Sequence, residues 1–71
     1  MNGAELMRKL KRLAKERGVT FEYVARSGKG SHGQLLFGDH LTTMKDPKKE
    51  IGPGLLHDML KQLGLDKGDL P

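Results

Sequence analysis

Between Ala4 and Arg17, apolar residues recur at Leu6, Met7, Leu10, Leu13 and Ala14, a spacing that gathers them into one stripe of an α-helix. Asn2 is placed to cap its amino end, with Glu5 three residues on. Gly18 supplies a left-handed stop, and Lys15 and Arg17 complement the negative end of the helix dipole. The stripe reads as core, with a groove for a partner as the alternative. After Gly18 the pattern changes. Val19, Thr20, Phe21, Tyr23 and Val24 are β-branched or aromatic and predict a strand from Val19 to Ala25, with Phe21, Tyr23 and Ala25 on one face. A second strand is predicted over Gly33 to Phe37, where alternation puts Leu35 and Phe37 on one side and His32, Gln34 and Leu36 on the other. Gly38-Asp39 is a tight turn into a third strand from His40 to Met44, which Asp46-Pro47 ends. Lys48 to Ile51 follows as a charged connector. The last helix begins near Gly52, with Pro53 at its first position, and runs through Leu55, Leu56, Met59, Leu60 and Leu63. With Gly64 just past the C-cap, Leu65 falls where a Schellman motif brings it against Leu60. Asp66 to Pro71 is polar and short, either a frayed tail or a docking segment.

The order helix, three strands, helix fits an α+β two-layer sandwich, in which both apolar helix stripes lie on one face of a three-stranded antiparallel sheet. One domain over residues 1–71 is expected, residues 65–71 forming a short C-terminal tail. A chain of 71 residues buries only about 60% of the surface its unfolded form exposes, so its core is thin. No apolar run is long enough for a membrane span or a signal-peptide core, which predicts a soluble, cytoplasmic protein with no membrane partner. The chain has no cysteine, which excludes disulfides and thiolate metal sites.

A net charge of +4 and an isoelectric point near 9.6 favour a polyanionic or acidic partner, nucleic acid or acidic protein alike. The cations are unevenly placed. Arg8, Lys9, Lys11, Arg12, Lys15 and Arg17 belong to the first helix, and Lys45, Lys48 and Lys49 form a second group. Such runs are commonly solvated faces, so they indicate a partner class without identifying it.

The run Ser27-Gly28-Lys29-Gly30-Ser31-His32 carries the candidate chemistry. It combines glycines, a cation and an imidazole, and imidazole has an ordinary pKa of about 6.5, so it exchanges protons near neutral pH. That combination suits phosphodiester chemistry. The competing reading is a Gly/Ser-rich loop with a solvated histidine. His40, after the Gly38-Asp39 turn, and His57, beside Asp58 on the last helix, read as solvated or capping residues, and the three histidines match no zinc-ligand spacing.

In this order the chain resembles the HicA-type toxins, small ribonucleases of bacterial type II toxin–antitoxin pairs. The resemblance is carried by the basic amphipathic first helix, Gly30-Ser31-His32 opening the second strand, and the apolar strand that follows. It continues in the closing stretch Lys49-Glu50-Ile51-Gly52-Pro53-Gly54-Leu55-Leu56 through Leu60-Lys61-Gln62-Leu63-Gly64-Leu65. It implies a double-stranded-RNA-binding-domain-like fold and cleavage of mRNA by a single catalytic histidine, His32. It also implies a HicB-like antitoxin that covers the active site, DNA being contacted only indirectly through that antitoxin. Two positions depart from the family: Gly33 stands where many members carry a second histidine, and Thr43-Met44 where many carry proline or histidine in strand three.

The chemistry expected from these residues is metal-independent and needs no cofactor. His32 acts as general base on a ribose 2′-hydroxyl, giving a 2′,3′-cyclic phosphate. Lys29 stabilises charge on the phosphorane oxygens. Backbone amides around Gly28 and Gly30 approach the phosphate where no Cβ intrudes, and Ser31 orients the histidine or the phosphate. Arg8, Lys11, Arg12, Lys15, Lys45, Lys48 and Lys49 are candidate contacts for RNA or antitoxin. The alternative class is a non-catalytic RNA-binding module of the same fold, using the same cations.

Overall fold

The computed structural model describes residues 1–24, 33–44 and 46–70. Its elements are α1 (Gly3–Arg17), β1 (Phe21–Val24), β2 (Gly33–Phe37), β3 (His40–Met44) and α2 (Pro53–Gln62), followed by one 3-10 turn (Lys67–Asp69). The strands form an antiparallel sheet in the order β1-β2-β3, pairing Tyr23 with Leu35, Leu35 with Thr42, and Gly33 with Met44. Strand β1 is shorter at its start than the β-branched run suggests. The Val19 amide donates to the Ala14 carbonyl at 2.9 Å and so closes α1 instead of entering the sheet. Ala25 lies outside the described residues. Between β2 and β3, Gly38 has φ 60° and Asp39 a negative φ, the sign pattern of a type II′ hairpin turn.

Strand alternation divides the sheet cleanly. Gly33, Leu35 and Phe37 of β2 and Thr42 and Met44 of β3 are buried on one face, with Phe21 and Tyr23 of β1 partly buried beside them. Onto this face pack Leu6, Leu10, Leu13 and Ala14 of α1, with Met7 at the margin, and Leu56, Met59 and Leu60 of α2, with Leu63 and Leu65. Both helices therefore cover the same side, α1 over β1 and α2 over β3. Leu55 departs from the expected apolar stripe: it is 45% exposed. At 100° per residue the row Leu56, Met59, Leu60, Leu63 fills the inward face, and Leu55 is left on the flank of α2.

The helix ends show why the helices stop where they do. The Asn2 side chain accepts from the Glu5 amide at 2.9 Å, the expected N-cap. At the end of α2, Leu65 N–H donates to the Leu60 carbonyl at 2.8 Å and Gly64 N–H to the Lys61 carbonyl at 3.0 Å, the bond pair of a Schellman motif, with Gly64 at φ 73°. The tail docks. Leu65 is buried, Leu70 packs against the core, and Arg17 Nη2 meets Asp69 Oδ1 at 3.0 Å.

The connector before α2 is also tied down. Gly3 and Ala4 amides donate to the Lys49 and Pro47 carbonyls at 3.3 and 2.9 Å, and Ile51 donates to Met1 at 2.9 Å. Asn2 bridges Glu50, whose carboxylate pairs with the terminal ammonium. These bonds take up amides of the first turn of α1, which have no partner within the helix.

Candidate functional site

Both helices run in the same sense across the sheet. Helix α1 starts beside Met44 and Pro47 and ends near the β2–β3 turn, where a Cβ on Gly38 would lie 3.8 Å from Val19. Helix α2 starts after Ile51, which is bonded to Met1, and ends at Gly64 beneath the His40 ring. The amino ends of α1 and α2 therefore lie toward the end of the sheet where β2 begins and β3 finishes. Helix amino ends carry partial positive charge, and Lys48 and Lys49 add two cations there, both exposed. Gly33, the first residue of β2, follows His32 directly in the chain.

At this end Tyr23 and Gly33 are in close register on the helix-covered face. A β-carbon on Gly33 would stand 2.6 Å from Tyr23 Cε1 and 2.9 Å from its hydroxyl oxygen, so the phenol fills the space of a side chain at position 33. The place where the resembled family often carries a second histidine is thus held here by an aromatic ring from the neighbouring strand. Strand alternation puts Tyr23 on the core face, but nothing in the sequence pairs it with Gly33. That relation needs the β1–β2 register.

Lys29, Gly30, Ser31, His32 and Lys45 lie outside the described residues. Arg8, Lys11, Arg12 and Lys15 are exposed on α1 at positions i, i+3, i+4 and i+7, opposite the buried Leu6-Leu10-Leu13 stripe, and so form a basic ridge on the outer side of the helix layer. Arg12 is partly engaged by Glu16, Nε to Oε1 at 3.7 Å. Glu5, Arg8, Lys9 and Arg12 line a shallow hollow of about 310 Å³. The structure bonds the connector that carries Lys48 and Lys49 to the start of α1 and leaves this ridge on a separate face.

His40 and His57 are both exposed. The His40 ring rests against Gly64, whose β-carbon would come 3.0 Å from Nε2, at the opposite end of the sheet from Gly33. Among the described residues no three His, Asp or Glu side chains gather as metal ligands, and no helix is long and apolar enough to cross a membrane.

A second concavity, which sequence reasoning missed, runs between β3 and α2. It encloses about 440 Å³ and has Met44, Ile51, Leu55 and Met59 as its apolar part and Asp46, Glu50 and Asp58 among its polar lining. Spaced acids in the sequence carry no sign that they converge, because they come from the connector and from α2.

Comparison with protein-family models, with curated proteins and with solved structures finds no match to this chain.

Proposed function

We propose that the chain is a metal-independent endoribonuclease of the HicA toxin type, which cleaves mRNA, arrests translation and growth, and is neutralised by a HicB-like antitoxin that covers its active site. One observation carries the reading: the end of the sheet that Gly30-Ser31-His32 leads into also holds the amino ends of both helices and the cations Lys48 and Lys49. Lys48 and Lys49 suit a phosphodiester backbone, and the amino end of α2, which no side chain caps, favours phosphate oxygens. In the proposed reaction His32 removes the proton from a ribose 2′-hydroxyl. The 2′-oxygen attacks phosphorus, the bond to the 5′-oxygen breaks, and the departing oxygen takes a proton from water. The products are a 2′,3′-cyclic phosphate and a 5′-hydroxyl. Lys29 stabilises charge on the phosphorane oxygens, and Ser31 orients His32 or the phosphate. DNA, which lacks the 2′-hydroxyl, is spared.

The basic ridge Arg8-Lys11-Arg12-Lys15 favours a second reading, a non-catalytic RNA-binding module. Incubation of RNA with wild-type and His32→Ala protein in the presence of a chelator, followed by end-group analysis, separates the two. The nuclease yields cyclic phosphates that disappear in the variant while RNA affinity is kept. Cleavage that survives His32→Ala, or that requires added metal, overturns the mechanism. Binding without any cleavage selects the module.

A further inference from the structure

Strand β3 is an edge of the sheet, and its pairing with β2 decides which of its backbone groups are left over. Phe37 and His40 flank the two-residue turn, so the pairs Phe37–His40, Leu35–Thr42 and Gly33–Met44 exchange the ladder bonds. The N–H and C=O groups of Leu41 and Thr43 therefore point outward. Among the described residues, no hydrogen bond from turns, loops or caps reaches them. Natural edge strands are usually blunted by a charge, a proline or a bulge. The strand His40-Leu41-Thr42-Thr43-Met44 contains no lysine, carboxylate or proline, and its register with β2 is unbroken.

Beside this bare edge lies the 440 Å³ concavity against α2, within the range of about 300–1,000 Å³ typical of ligand pockets. Leu55 stands 45% exposed at its margin and Leu41 is 49% exposed on the other face of the same strand. A strand laid along β3 would send alternate side chains to these two sides. Among the described residues, three of the four charged groups in its lining are acidic. These are Asp46, Glu50 and Asp58, beside the cation Lys49, in a chain whose net charge is +4. Glu50 pairs with the terminal ammonium, whereas Asp46 and Asp58 form no ion pair among the described residues and suit lysine or arginine.

We infer that the free edge of β3, with the groove between β3 and α2, is a docking site for an extended segment of another protein in which apolar residues alternate with basic ones. Its backbone pairs with Leu41 and Thr43, its apolar side chains enter the groove against Ile51, Leu55 and Met59, and its cations meet Asp46 and Asp58. The site is independent of the ribonuclease reading and stands if that reading fails.

The test uses the full chain, isotope-labelled, with two blocked synthetic peptides, one of alternating valine and lysine and one of alternating valine and glutamate. The lysine peptide is expected to slow amide hydrogen exchange at Leu41 and Thr43 and to shift the methyl signals of Leu55 and Met59. The glutamate peptide should do neither. Thr43→Pro removes an outward amide without touching the β2 ladder and should weaken the lysine peptide roughly tenfold, the worth of about one to two edge bonds. Asp58→Lys, at an exposed position, should weaken it about two- to fivefold. The inference is overturned if the lysine peptide leaves the Leu41 and Thr43 amides unprotected, if the glutamate peptide binds equally well, or if Asp58→Lys leaves the affinity unchanged. Protection of the same amides by concentration-dependent dimerisation, or by RNA, would assign the edge to a second copy or to nucleic acid and equally overturn it.

Discussion

The phenol of Tyr23 lies where the side chain of residue 33 would be, 2.6 Å from a β-carbon built on Gly33. Any larger residue there must push the ring aside. Gly33→Ala is expected to destabilise the fold by about 1–3 kcal/mol, the usual penalty for overpacking a filled site. Gly33→Ala combined with Tyr23→Ala should cost less than the sum of the single changes, because the clash is shared. Urea denaturation of the four proteins measures the coupling, and strict additivity would show that the ring yields freely.

Gly18 and Gly64 both close helices at positive φ, 67° and 73°, yet their surroundings differ. Nothing lies within 4 Å of a β-carbon at Gly18, whereas at Gly64 the His40 ring is met at 3.0 Å. Gly18→Ala should cost about 1–2 kcal/mol from backbone strain alone. Gly64→Ala should cost more, and His40→Ala should remove the excess. Thermal unfolding of the three variants and the Gly64→Ala, His40→Ala double variant checks the ordering.

Thr42 is buried, and its hydroxyl donates to Gln62 Oε1 at 2.5 Å, joining β3 to the last turn of α2. Thr42→Val keeps the shape and removes the donor. The expected loss is about 0.5–1.5 kcal/mol, since exposed Gln62 recovers a bond to water. Denaturant midpoints at constant slope measure it, and no change would mean that the bond contributes nothing net.

Leu55 and Leu60 belong to the same apolar run but differ in burial, 45% and 1% exposed. Leu60→Ala should cost about 2–5 kcal/mol through loss of contacts and a residual cavity. Leu55→Ala should stay within about 0.5 kcal/mol. Equal losses in chemical denaturation would mean that Leu55 is part of the core.

His32→Ala should reduce RNA cleavage at least 10²-fold, the lower end of what positioned acid–base catalysis supplies. Charge reversal of Arg8 and Lys11 should weaken RNA binding at every sequence and flatten its salt dependence. Both are read from one set of cleavage and filter-binding assays, and a salt slope unchanged by the reversals would remove the ridge from the RNA interface.

Helices, strands and their ends are local properties, and they were legible because local chemistry decides them. The period of Leu6, Leu10 and Leu13, the cap at Asn2, the turn at Gly38-Asp39 and the Schellman closure at Gly64 each depend on residues within a few positions of one another. The α+β order followed from them. Tertiary structure alone decided what depends on register and on distant segments meeting. It set the ring of Tyr23 over Gly33, because antiparallel pairing offsets residues ten apart. It bonded the connector that carries Lys48 and Lys49 to the first turn of α1. It also left Leu55 outside the core and gathered Asp46, Glu50 and Asp58 beside the bare edge of β3. A linear pattern records the period of a helix, but not which flank its neighbours leave uncovered.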